Sequence, residues 1–159
     1  MSTTGIERPI ELGPAKVRAL LGQRRGELLL PMSPQPLLGA RERRLLAGAL
    51  VELGFFFEPG DTTVHLLNRA FREGLMPDLR CPWGRGGDGL WVREPWGEVL
   101  GRAVFLDSEI TAVRDGLRWR PAPTMPRAAA RLVLKIEDVG IDTDAQGRIV
   151  WRLGVEVWR

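Results

Sequence analysis

Two stretches of this chain hold the residue types that can do chemistry. Cys81 to Trp96, CPWGRGGDGLWVREPW, gathers four glycines, three tryptophans, two arginines and two acids, and Gly22 to Glu27, GQRRGE, places two adjacent arginines next to an acid. In the first, the glycines open backbone angles closed to other residues, while Leu90, Trp91 and Val92 read as a buried strand, so a flexible turn feeds a rigid element. Trp83, Trp91 and Trp96 suit stacking on an unpaired base, a contact of about 1 to 3 kcal/mol, with Trp83 on the glycine loop the better candidate. Trp91 shares a strand face with Arg93, and Leu90, Val92 and Glu94 share the other. Trp91 therefore reads as core, and Arg93 and Glu94, charged within an apolar strand, each need a partner or a cavity. Asp88, just before Gly89, reads as a turn former. In the second stretch, Arg24 and Arg25 have the planar fork that grips a phosphate or a base edge, with Glu27 orienting them or accepting from an exocyclic amine. The simpler alternative is that they cap the end of a helix, where its dipole favours cations.

Composition bounds the partners. The chain has 159 residues, 44% hydrophobic and 27% charged, which fits one globular domain. No apolar run approaches the roughly 20 residues that span a bilayer, and MSTTGIERPIELG is no secretory signal, so a cytoplasmic protein away from membranes is expected. Cys81 and His65 are each the sole residue of their type, which excludes an internal disulfide and a Cys/His metal cluster. No cofactor or metal is expected. The net charge is +3, and all of the basic residues except Lys16 and Lys135 are arginine, a bias that suits phosphate recognition and also decorates any solvated surface.

The elements that must position these residues follow from periodicity and punctuation. Ile6 to Leu12 holds a short strand, Pro14 opens a helix carrying Val17, Leu20 and Leu21, and Gly22 stops it. The polar run Gln23 to Glu27 then reads as a loop before a strand at Leu28 to Leu30. Prolines 31, 34 and 36 mark a boundary. Leu45, Leu46, Ala49, Leu50 and Leu53 recur at helical spacing up to Gly54, and a second helix over Thr63 to Glu73 is capped by Asp61 or Thr62 and closed by Gly74. Residues 40–79 thus form a helical hairpin between β segments. Its Phe55, Phe56 and Phe57 cannot all face one way, which leaves part of the triplet as a contact patch for a protein partner. Beyond the tryptophan-rich stretch, Glu98 to Leu106 pairs back through a turn at Gly97, Asp107 to Asp115 is loop or strand, and Ala128 to Ala130 makes one helical turn. RLVLKIEDV alternates from Arg131, with Leu132, Leu134 and Ile136 on one face. Ile149 to Trp158 alternates as well, after a turn at Asp144 to Gly147.

Several of these segments, in order, resemble the ASCH domains of the PUA-like proteins, particularly a group common in phages and prophages. GPAKVRALLGQRRGELLLPMSPQP resembles that group's proline-containing first helix and proline-rich exit, CPWGRGGDGLWVREPW its CPYGxPGDRLWVRETW, and WRPAPTMPRAAARLVLKIEDV its W-x-P-x-x-x-MPRWASR. WRLGVEVWR is similar to its final strand. The resemblance implies an α+β fold: a small mixed β-barrel of PUA-like type with flanking helices, one domain over residues 1–159 with the hairpin 40–79 inserted. The family's G-x-K-x-x-E-x-R loop falls on Gly22, Arg24, Glu27 and Leu29. Some members are amidohydrolases of acetylated cytidine that use the lysine of this loop; here that position holds Arg24, which stays protonated and cannot accept a proton near neutral pH. Other members cut RNA.

The expectation that results is a module that binds RNA, a nucleotide or a modified base in a basic cleft, with Arg24, Arg25, Trp83, Arg93, Arg120 and Arg127 as contacts. Arg120 and Arg127 sit in a loop stiffened by Pro121, Pro123 and Pro126, so they are presented at low entropic cost. Should the same cleft carry a hydrolase, Glu27 and Glu94 are its candidate acid and base.

Overall fold

The computed structural model describes residues 5–56, 62–105 and 119–158. Phe57, the turn at residues 58–61 and the segment 107–115 lie outside these. The described chain is α+β. Its strands are β1 (Glu7–Glu11), β2 (Arg25–Pro31), β3 (Gly89–Arg93), β4 (Trp96–Val99), β5 (Arg102–Phe105), β6 (Val133–Thr143) and β7 (Ile149–Val157). Its helices are α1 (Pro14–Gln23), α2 (Ala40–Glu52) and α3 (Thr63–Arg72), with short 3-10 turns at Ala122–Thr124 and Arg127–Ala129. Five strands form a mixed sheet in the order β1-β3-β6-β7-β2, with β1 parallel and β6 antiparallel to β3. Strands β4 and β5 make a separate antiparallel ribbon. No strand pairing among the described residues closes the larger sheet into a barrel, since β1 and β2 stand at its two ends. No described helix is long and apolar enough to cross a membrane.

The chain forms two compact units. The first takes Met1–Gly26, Trp83–Glu137 and Gly154–Arg159, and the second takes Glu27–Pro82 and Asp138–Leu153. In the first, Leu132, Leu134 and Ile136 are fully buried, as the alternation from Arg131 predicts, alongside Val17, Leu20, Leu90 and Val92. In the second, Leu50 of α2 packs with Leu66 and Ala70 of α3, and Phe71 meets Trp151 edge to face at 5.2 Å. Thr62 caps α3 by accepting the His65 N–H, while His65 Nδ1 accepts from the Thr62 backbone, a reciprocal box that gives the lone histidine a structural role.

Two local expectations are corrected. Helix α1 does not stop at Gly22. It runs to Gln23 and ends on Arg24, whose left-handed backbone (φ 67°) donates its N–H to the Leu20 carbonyl, and β2 begins at the next residue. The polar loop is thereby reduced to one residue, and Arg25, Gly26 and Glu27 are strand. A left-handed arginine costs about 1 kcal/mol relative to glycine. The Arg24 carbonyl accepts the Val157 N–H at 2.8 Å, which fixes the turn against β7. The hairpin expected to turn at Gly97 turns at Leu100 and Gly101, both with positive φ, so Gly97 pairs with Val104 inside the ribbon.

The glycine turn before β3 is organised by Asp88. Its carboxylate accepts from the Ile6 N–H (3.1 Å), the Arg85 N–H (3.1 Å) and the Arg8 guanidinium (3.0 Å). Gly84 is required beside it: at φ 121°, a Cβ there would stand 2.6 Å from an Asp88 oxygen. Burial alone would raise the Asp88 pKa, but the Arg85 N–H, the Arg8 guanidinium and the Ile6 N–H together outweigh it and hold the group below its ordinary value. A depressed carboxylate pKa stabilises the fold above the unfolded value, about 4, and the contribution disappears as pH falls through the lower folded value. Asp88→Asn is therefore expected to cost about 2 kcal/mol in urea unfolding near neutral pH, with the gap from wild type closing below about pH 4. Equal stability of the two proteins at neutral pH contradicts this account.

Candidate nucleic-acid interface

The first unit carries a second apolar cluster, formed by Trp91, Trp96, Met125, Ala130 and Val133 with Phe105 and Ala129 against it. Each part is placed by the fold. Trp91 faces Val133 across the β3–β6 ladder. Trp96 starts the ribbon, and Arg120 is tied to it by two reciprocal backbone hydrogen bonds of 3.1 and 2.7 Å. The Trp96 indole N–H donates to Thr124 Oγ1 at 3.1 Å, and Thr124 Oγ1 donates to the Pro121 carbonyl, so the proline-stiffened loop holds the ring in place.

Three guanidiniums lie over the rings of this cluster. Arg93 sits 4.6 Å from the Trp91 ring centre, Arg120 4.8 Å from Trp96 and Arg131 4.2 Å from Phe105. An arginine drawn onto a ring face has less side-chain freedom left to lose. The β3–β6 register explains how two of them come together. Gly89 faces Lys135, Trp91 faces Val133 and Val92 donates to the Leu132 carbonyl, so the ladder leads toward Arg93 on one strand and Arg131 on the other. Glu94, buried, relieves the repulsion by accepting from Arg131 through both oxygens, at 3.0 and 2.7 Å. One acid among three arginines leaves the cluster basic. Arg93 and Arg120 form no ion pair with any described residue, and Arg93 Nε is buried with no acceptor among the described residues. A buried donor left unmatched costs about 1 to 3 kcal/mol, which an incoming acceptor would recover.

The other expected contacts are placed differently. Arg127 donates twice to Glu7, at 2.9 and 3.2 Å, and this hydrogen bonding raises its pKa further. Arg25 is exposed and reaches Glu137 at 3.5 Å and Glu156 at 3.9 Å, loose contacts of the kind that contribute under about 1 kcal/mol. The glycine turn also abuts Glu137, whose carbonyl lies 3.2 Å from where a Gly86 Cβ would stand, so Arg25 and this turn meet at one residue. Trp83, on that turn, is half-buried, and Arg24 is exposed. Glu27 is exposed on β2 and belongs to the other unit from Glu94, so no described geometry joins the two candidate acids. Phe55 packs in the α2–α3 cluster with Arg69 4.5 Å above its ring, whereas Phe56 is 93% exposed.

Sequence reasoning missed Arg131 and Glu7, the residues that decide which arginines remain open. Arg131 is 37 positions from Glu94 and Arg127 is 120 from Glu7, so only the tertiary fold reveals them. No family model, no curated protein and no solved structure matches this chain.

The Arg131 pair has a measurable signature. Arg131→Met leaves the Glu94 carboxylate buried without its counter-charge and is expected to destabilise the fold by about 3 kcal/mol in urea unfolding, whereas Arg131→Met with Glu94→Leu recovers most of the loss. A single variant within about 0.5 kcal/mol of wild type contradicts the pairing.

Proposed function

We propose that this chain is a PUA-like module of the ASCH type that binds single-stranded RNA or a nucleotide, with Arg93 and Arg120 as its principal phosphate contacts. The ordered sequence resemblance supports the fold assignment. One observation carries the functional reading: two guanidiniums are seated on tryptophan rings with no carboxylate to neutralise them, and one of them holds a buried, unmatched N–H. Phosphate oxygens are acceptors of the matching charge and geometry. Arg24, Arg25 and Trp83 extend the basic surface, and a cytoplasmic site of action accompanies this reading. Binding is favoured over hydrolysis because Glu94 is committed to Arg131 through both oxygens, which removes it as a ready proton acceptor.

Fluorescence anisotropy with a labelled single-stranded RNA tests this. Affinity is expected to fall linearly with the logarithm of salt concentration, because counterions are released when arginines meet phosphates. Arg93→Ala and Arg120→Ala are each expected to weaken binding about tenfold and to reduce the salt slope by about one. Arg127→Ala, with its fork already held by Glu7, is expected to bind like wild type. Wild-type affinity in the Arg93→Ala, Arg120→Ala double variant, or no binding at low salt, overturns the proposal.

A further inference from the structure

Helix α2 is the least buried of the three described helices: of its thirteen residues only Leu50 is fully buried. Its outer face is nevertheless patterned. Arg41, Leu45, Gly48 and Glu52 follow at spacings of four, three and four, which puts them in one narrow stripe along the helix. All four are exposed, and Leu45 is 64% exposed. Neither Arg41 nor Glu52 forms an ion pair among the described residues. Gly48 is the unexplained member. Glycine in a helix interior is unfavourable, and nothing lies within 4 Å of where its Cβ would stand, so no packing inside this chain calls for it. Open space on a helix face lets another backbone approach closely.

The order of the stripe says what the approaching element is. Around a two-fold axis crossing α2 between residues 46 and 47, an antiparallel second α2 faces residue 41 with 52 and residue 45 with 48. Arg41 then meets Glu52 of the partner subunit, and Leu45 seats over Gly48 of the partner subunit, each contact occurring twice. Isologous interfaces need a surface complementary to itself, and this stripe is so in both charge and size. Apolar surface continues beside it. Leu38, Leu45, Leu46, Leu75, Met76 and Leu79 line a groove of about 520 Å³ with Glu42 and Asp78 as its only charged members. We propose that α2 is the interface between two copies of this chain, packed antiparallel about Leu45 and Gly48.

Sedimentation velocity on the full chain over a concentration series tests this. One helix of thirteen residues buries less than a standard interface, so a reversible monomer–dimer equilibrium in the micromolar range is expected. Arg41→Glu and Glu52→Arg, each placing like charges opposite, are expected to weaken dimerisation about tenfold. The two together are expected to restore it. Gly48→Leu removes the space for the partner's Leu45 and is expected to give a monomer, and because the site is open and glycine is the poorer helix former this variant folds at least as well as wild type. A wild-type protein that stays monomeric up to roughly 0.5 mM overturns the proposal, and so does a dimer indifferent to these changes.

Discussion

The first unit depends on one buried carboxylate. Asp88 collects donors from the segment before β1, from β1 itself and from the glycine turn, while its backbone carbonyl accepts the Ile136 N–H of β6 at 2.8 Å. Three pieces of chain distant in sequence are thereby registered by one residue. The parallel pairing of β1 with β3 begins at Glu7 and Gly89, directly beyond this node, and parallel strands have no tight turn to set their register. Loss of the carboxylate would leave two part-buried backbone donors, at Ile6 and Arg85, and the Arg8 guanidinium unmatched at once, a larger penalty than any single surface ion pair repays.

From that register follows the distribution of charge. β3 runs on from its pairing with β6 to Arg93 and Glu94, and Glu94 accepts through both oxygens from Arg131, which precedes β6. Glu94 can satisfy only one arginine through both oxygens, and it takes Arg131. Arg93 turns onto Trp91, and Arg120, held through its backbone to Trp96, does likewise. Some arginines elsewhere are neutralised by nearby acids, as with Arg8 and Asp88, Arg72 and Asp138, and Arg127 and Glu7, whereas others, Arg24 and Arg41 among them, are exposed to solvent with no acid opposite among the described residues. What sets Arg93 and Arg120 apart from those exposed arginines is that each lies over a tryptophan ring.

Local signals made the framework legible. Pro14 marks the start of α1, Thr62 caps α3, and the alternation of RLVLKIEDV names the buried face of β6, because each rests on backbone chemistry within a few residues. The errors lie where tertiary contacts override local preference. Gly22 reads as a helix stop, yet the hydrogen bond from Val157 to the Arg24 carbonyl carries the helix onward and makes an arginine adopt the left-handed conformation. Gly97 reads as a turn, yet pairing with Val104 draws it into the ribbon. The candidate site was legible in Arg93, Glu94, Arg120 and its tryptophans, but the partners of Glu94 and Arg127 were not, because Arg131 and Glu7 lie 37 and 120 positions away and are brought near only by the tertiary fold.

The same geometry bears on whether the cluster is suited to catalysis. A general base needs a free acceptor beside the reacting proton, and a general acid needs a proton it can surrender near neutral pH. Glu94 offers neither while both oxygens accept from Arg131, and releasing it would strand a buried arginine–carboxylate pair at a cost of several kcal/mol. Guanidiniums stay protonated, so Arg93 and Arg120 can attract and orient a phosphate but cannot shuttle a proton. Arg93 Nε is buried, so an acceptor reaches it only if the surrounding side chains move, whereas the guanidiniums of Arg93 and Arg120 already lie over their rings.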